Sequence, residues 1–444
     1  MASVTRQVPL TADRERWYAA AWEKFNPERM RRLLADLVDI HSPTGNERAI
    51  CEFLSGYLRQ HLGGRGFYQP INEHTGNCFG EVRGSGGGAV LMLYAPIDTH
   101  LEGDPATDIP WVGPVLRADM LPQAEVRDDL VIGLGASNPK SMVATLTEVA
   151  TAIHEAGIPM LGTLKPAFAG GGMSVNSPRR NHYGLGDGVY HLLSRGIAPD
   201  FAIIMKPIWA VYAEEPGFCW FKVSVRGTMN YAGSPRSLVT DKSSIIPAAV
   251  LIPEIDKWIA QYTERNAAGT LRPEGKITSV RSGWGDRFAY SSATTEIYLD
   301  VRCVPGTAPG EVYAQFETGM KALRRAHREI DFDWEMIAAL PGGATDPENW
   351  IVQSCRRGWE RVEGRPHGDP PPMGGRTDGS LIRKLGIPTA RIGFPWPAES
   401  TPEEFKYGLG GMGVACIPDL IKCAQAIMYA AVDTLTRPRA ELGV

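Results

Sequence analysis

The sequence predicts an α/β chain built on a mainly parallel sheet and interrupted by an α+β insert. Three observations carry this prediction: continuous apolar runs such as "AVLMLYAPID", helical spacing of apolar residues between those runs, and alternation in "FCWFKVSVRG" after Pro216 like that of a half-exposed antiparallel strand. At 444 residues the chain exceeds one ordinary domain, and 43% hydrophobic with 22% charged residues is a soluble globular composition. A net charge of -4 excludes the broad basic footprint of a nucleic-acid binder. Seven scattered cysteines without a CxxC pair fit reduced thiols. The start "MASVTRQVPLTADRERW" lacks an apolar signal core, and no apolar run reaches the roughly 18 residues of a membrane span. A cytoplasmic protein with no membrane partner is expected.

In order, "FNPERMRRLLADLVDI" and "ERAICEFLSGYLRQHLG" are helices by spacing, the second ending on Gly63 and Gly64, and the loop "HSPTGNE" separates them. "NCFGEVRG" and "AVLMLYAPID" are strands, followed by the helix "KSMVATLTEVATAIHEAG", the strand "LKPAFAG", the helix "GVYHLLSRG" and the strand "DFAIIMK". This β, α, β, α, β order implies helices over a parallel sheet. After Pro216 come an alternating strand, the helix "SIIPAAVLIPEIDKWIAQYTE", the strand "ATTEIYLDVRCV" and the helix "GEVYAQFETGMKALRRAH". The insert is therefore placed at 216–330, between two parts of one catalytic-type α/β domain at 1–215 and 331–444. The remainder supplies the strand "GIPTARIGF" and the final helix "CIPDLIKCAQAIMYAAVDTL".

The ordered pieces "DIHSPTGNE", "GNCFGEVRG", "LMLYAPIDT", "DDLVIGLGASNPKSMVATL", "VSVRGTMNYAGSP", "YLDVRCVPG" and "GGRTDGSLIRKLGIPTARIGF" resemble the superfamily of aminoacylases, acetylornithine deacetylases, desuccinylases and glutamate carboxypeptidases. The likeness spans nearly the whole chain. It implies a catalytic α/β domain, a ferredoxin-like lid that dimerises, and hydrolysis of amide-type C–N bonds by two divalent metals.

The metal ligands implied by the resemblance do not carry over. A His-x-Asp sequence becomes Pro96-Ile97-Asp98, a bridging aspartate becomes Asn138, and the paired glutamates fall on or near Gly171 and Gly172. The acidic ligand before a proline becomes Lys206, the C-terminal histidine falls near Leu409, and the lid histidine becomes Tyr231. The usual two-metal centre is thus expected to be absent, with Pro96 part of a coordinated replacement.

Three readings follow. In the first, a hydrolase acts on a small carboxylated molecule, with Asp98, His100, Lys140, Lys206 and Tyr231 supplying acid, base and charge stabilisation. Asp98 then faces Lys206, and one lysine beside another has a lowered pKa. Asn138, Gly171, Gly172, Asn230, Arg376 and Asp378 would bind substrate, the glycines through free N–H groups and Arg376 through a carboxylate. In the second, one relocated divalent transition metal sits on His100 and Asp98, with Glu102, Asp104 or Asp378 as further ligands. The third is a silent binding protein. Plainer roles stand beside these: His100 as a loop cap, Lys206 as a surface lysine, Asp378 as the cap of "SLIRKLG". The loop 178–187 would reach the pocket rim, and Trp111 and Trp396 would shape cavity walls for a flat substrate or serve as core. The alternating strand "WFKVSVRG" marks the insert as a homodimer interface.

Overall fold

Four strands pair in parallel, in the order Thr163–Ala169, Val90–Pro96, Phe201–Met205 and Thr389–Ile392. The computed structural model describes residues 5–109, 111–174, 184–235, 243–269, 271–406 and 412–444. Every residue of Phe201–Met205 and Thr389–Ile392 is buried, and "FAIIM" accordingly reads as an unbroken apolar run. Antiparallel strands flank the four, Gly76–Gly80 and Gly66–Pro70 on one side and Val211–Tyr212 on the other. The helix Ser141–Ala156 is buried along most of its length among the sheet and the helices Ala12–Lys24, Pro27–Asp39 and Ile417–Leu435.

Pro96 ends the central strand opposite Ala169, whereas the ladder to Phe201–Met205 stops at Tyr94 and Ile204. A residue without an N–H is tolerated there because the rungs on that side have already ended.

The chain divides into two compact units, Met1–Ala213 with Thr345–Pro370 and Ile382–Val444, and Glu214–Ala344 with Pro371–Leu381. The second unit is one antiparallel sheet, ordered Gly275–Ser282, Thr294–Cys303, Gly217–Arg226 and Phe332–Leu340, with the helices Ile245–Asn266 and Pro309–Ala326. Along the chain this is the βαββαβ order of ferredoxin-like domains. An insert ending at 330 is too short, because Phe332–Leu340 pairs along Gly217–Arg226. That alternating strand is also interior to the sheet, so it presents no edge to a second chain. The ends of the insert are pinned together: Glu214 pairs with Ala344, Glu215 pairs with Gly343, and the Thr345 N–H donates to the Ala213 carbonyl at 2.8 Å. Among the described residues no helix is long and apolar enough to cross a membrane.

Candidate active site

Polar groups gather where the parallel strands end, at the carboxyl side that gives an open α/β sheet its binding crevice. Beyond Pro96, the Thr99 N–H donates to the Ser42 carbonyl at 2.8 Å and the Thr44 N–H to the Thr99 carbonyl at 3.1 Å, which holds the loop before helix Arg48–His61 against Asp98. Asp98 is fully buried. Its Oδ2 accepts the Thr44 hydroxyl at 2.7 Å and the Met173 N–H at 2.9 Å, and its Oδ1 accepts the Gly172 N–H at 2.9 Å.

Glu47 lies beside it, equally buried, with Oε1 accepting the N–H groups of Gly45 at 2.7 Å and Gly171 at 2.9 Å. Its Oε2 has no hydrogen-bond partner, and the nearby Thr75 hydroxyl lies outside bonding geometry. Burial first, and the Asp98 charge second, push the Glu47 carboxyl up to about 7. The N–H groups of Gly171 and Gly172, expected to be open to an anion, are therefore already taken by the chain's own carboxylates.

Lys206 follows the strand Phe201–Met205, and its backbone N–H donates to the Ile392 carbonyl at 3.0 Å. The residue is 6% exposed and its Nζ donates to Asn138 Oδ1 at 3.3 Å. Asn138 in turn donates Nδ2 to Met412 Sδ at 2.9 Å and its backbone N–H to the Met412 carbonyl at 3.1 Å. The expected pairing of Lys206 with Asp98 does not form. The glycine loop lies on Asp98 and satisfies it with N–H groups instead.

Lys140 is also recast. Its buried Nζ donates to the carbonyls of Ile40 at 2.8 Å and Val38 at 3.4 Å, at the end of helix Pro27–Asp39. Burial brings its ammonium down to about 7, against the opposing charge of Asp39, and a second lysine plays no part. Lys140 is a buried helix cap.

The relocated-metal set does not assemble. The His100 ring meets Trp111 edge-on with centroids 6.5 Å apart. Asp104 caps the short helix Pro105–Asp108, accepting from the Ala106 N–H at 3.2 Å, and the Glu102 carbonyl bonds the His41 ring. Among the described residues no three His, Cys, Asp or Glu side chains gather into a set able to hold a metal. Around Asp98 the donors are N–H groups and a hydroxyl, and the nearby strand end carries an ammonium, so the described residues do not fit a dinuclear centre.

Four expected site residues lie in the second unit. Tyr231 is 57% exposed and bridges to Tyr290, with ring centroids 6.0 Å apart. Asn230 donates Nδ2 to Thr228 Oγ1 at 3.1 Å. The Arg376 side chain, expected to receive a substrate carboxylate, is 2% exposed, with Nη2 3.9 Å from Asp378 Oδ1 and the guanidinium 5.5 Å from the Phe218 ring centre. Thr377, not Asp378, caps the helix Gly379–Lys384, accepting the Gly379 N–H at 3.0 Å. Trp111 is 67% exposed, while Trp396 does line a cavity. Residues 178–183 of the expected rim loop, and Leu409, fall outside the described residues.

Sequence reasoning missed Glu47, Thr44 and Met412. The first two stand in "HSPTGNE", where a glutamate two residues past a glycine and just before a helix is a turn-and-cap signal.

No protein-family profile matches the chain. Among solved structures it is similar to human carnosine dipeptidase 1 at 11% identity, over 97% of this chain and 100% of that one, with a TM-score of 0.69. A tripeptidase from Staphylococcus aureus matches at 17% identity over 93% and 100%, TM-score 0.66. A dinuclear metal binding peptidase of the M20 family from Bacillus subtilis matches at 14% identity over 93% and 99%, TM-score 0.57. The chain has the fold of these peptidases.

Proposed function

We propose that this chain is a hydrolase of an amide-type C–N bond in a small carboxylated molecule, working at the strand ends with Lys206 and Asn138 in place of metal ligands. One observation carries the reading: a buried ammonium held 3.3 Å from the Asn138 amide oxygen at the carboxyl end of a parallel strand. The fold's likeness to dipeptidases and a tripeptidase points to peptide-like substrates. In hydrolysis a water oxygen bonds to the carbonyl carbon, the C–N bond breaks, and a proton passes to the departing nitrogen. Lys206 stabilises the negative charge that develops on the carbonyl oxygen, and Asn138 fixes where the ammonium sits. Glu47, a buried acid that titrates near neutrality, keeps the Gly170–Met173 loop in place through its bond to Gly171. No step runs through a metal.

A panel of N-acyl amino acids and dipeptides, assayed with and without a chelator, tests this. Turnover insensitive to chelation and lost in Lys206→Met is expected; turnover that needs added zinc or manganese sinks the reading. The second reading, a binding protein without turnover, is favoured by the saturation of Asp98 within the chain. Binding of a panel compound with no product after prolonged incubation would select it.

The homodimer proposal moves to a different strand. Gly275–Ser282 is an outer strand of the insert sheet, and Val280, Trp284 and Phe288 on and beyond it are exposed at 47%, 73% and 87%. Light scattering should give twice the chain mass, and Val280→Lys should halve it.

A further inference from the structure

Beside Met412 the first unit holds a cavity of about 170 Å³, walled by Trp396, Pro397, Phe405, Met412 and Val414, with Asp119, Thr401 and Lys406 as its polar lining. An apolar cavity of roughly 150 Å³ accommodates one benzene ring, so this volume takes a single ring. Trp396 and Phe405 supply aromatic contacts, and the Met412 thioether adds a polarisable one. Asp119 is 3% exposed and its two oxygens accept Arg117 Nε at 2.9 Å and Nη2 at 2.8 Å. Each carboxylate oxygen keeps a second lone pair, so a hydroxyl or ring N–H can donate to Asp119 without displacing the guanidinium.

We propose that this cavity is a subsite for a phenol or indole ring. Met412 is its link to the strand ends. The Met412 sulfur takes Asn138 Nδ2, and its carbonyl accepts the N–H groups of Ser137 at 2.9 Å and Asn138 at 3.1 Å. A ring seated in the cavity thus presses on the residue that orients Asn138 toward Lys206. That the ring is a side chain of the substrate rests on the hydrolase reading; capture of the ring itself does not.

Calorimetry with p-cresol and with 3-methylindole on the full chain tests the subsite. Saturable binding of one ring per chain is expected, abolished in Val414→Phe, which fills the volume, and weakened at least about tenfold in Phe405→Ala, which removes a wall. Should Val414→Phe fail to fold, Phe405→Ala decides alone. Absence of saturable binding by the natural chain, or unchanged affinity in the folded variants, overturns the proposal. Ring binding without any turnover leaves the subsite standing and removes the hydrolase reading; turnover without ring binding does the reverse.

Discussion

The two halves of the strand-end crevice are built on opposite principles. On one side Asp98 is closed, its two oxygens accepting three donors from within the chain. On the other, Lys206 donates to the Asn138 amide oxygen, and Asn138 abuts Met412 at a cavity wall. A carboxylate saturated by donors of its own chain serves architecture, whereas Asn138 ties Lys206 to a residue that walls a cavity. The first half is accordingly expected to govern stability, and the proposed function gives the chemistry to the second.

The largest expected effect breaks the closed half. Asp98→Ala orphans the N–H groups of Gly172 and Met173 at a fully buried carboxylate and takes one acceptor from the Thr44 hydroxyl, and urea unfolding should show a loss of about 4 kcal/mol. An effect below about 1 kcal/mol would mean that the loop is held by something else.

Next comes Glu47→Gln. The folded chain holds the Glu47 proton more tightly than the unfolded chain, since its carboxyl is raised from 4.5 to about 7. The stability this provides is complete below about 4.5 and is lost as pH rises through about 7, a change of roughly 3 kcal/mol for this group. Glutamine cannot ionise, so melting of the variant between pH 5 and pH 8 should lack that component of the slope. Equal slopes in the two proteins would show that Glu47 is ionised throughout.

The smallest effect on stability belongs to the other half. Lys206→Met removes the contacts of the ammonium, the hydrogen bond to Asn138 among them, together with the cost of burying it, and the net change should stay within about 1 kcal/mol. Turnover should nevertheless fall at least about a hundredfold, the range seen when one oxyanion donor is removed. A variant much less stable than the natural chain would place Lys206 with Asp98 among the structural groups.

Much of this was legible beforehand. Unbroken runs such as "FAIIM" announced strands covered on both faces, and the same reading put Lys206 and Asp98 at their ends. What escaped was set by distance along the chain. Glu47 and Gly171 are 124 residues apart, and nothing local says that a distant carboxylate will consume the glycine's N–H. Arg376 was misjudged for a related reason, since its burial beneath Phe218 arises only when 371–381 joins the insert. The outer strands Gly275–Ser282 and Phe332–Leu340 went unassigned because each is largely exposed or only half-buried, so neither carries a strong apolar pattern.

The pinned ends of the insert make it a cassette. Ala213 and Thr345 already share a hydrogen bond, so the 131 residues from Glu214 to Ala344 leave and return to the first unit at a single rung. A segment so bounded can be lengthened at its outer loops while the strands that carry Asp98 and Lys206 keep their neighbours, whereas exchange of the whole insert must carry 371–381 with it.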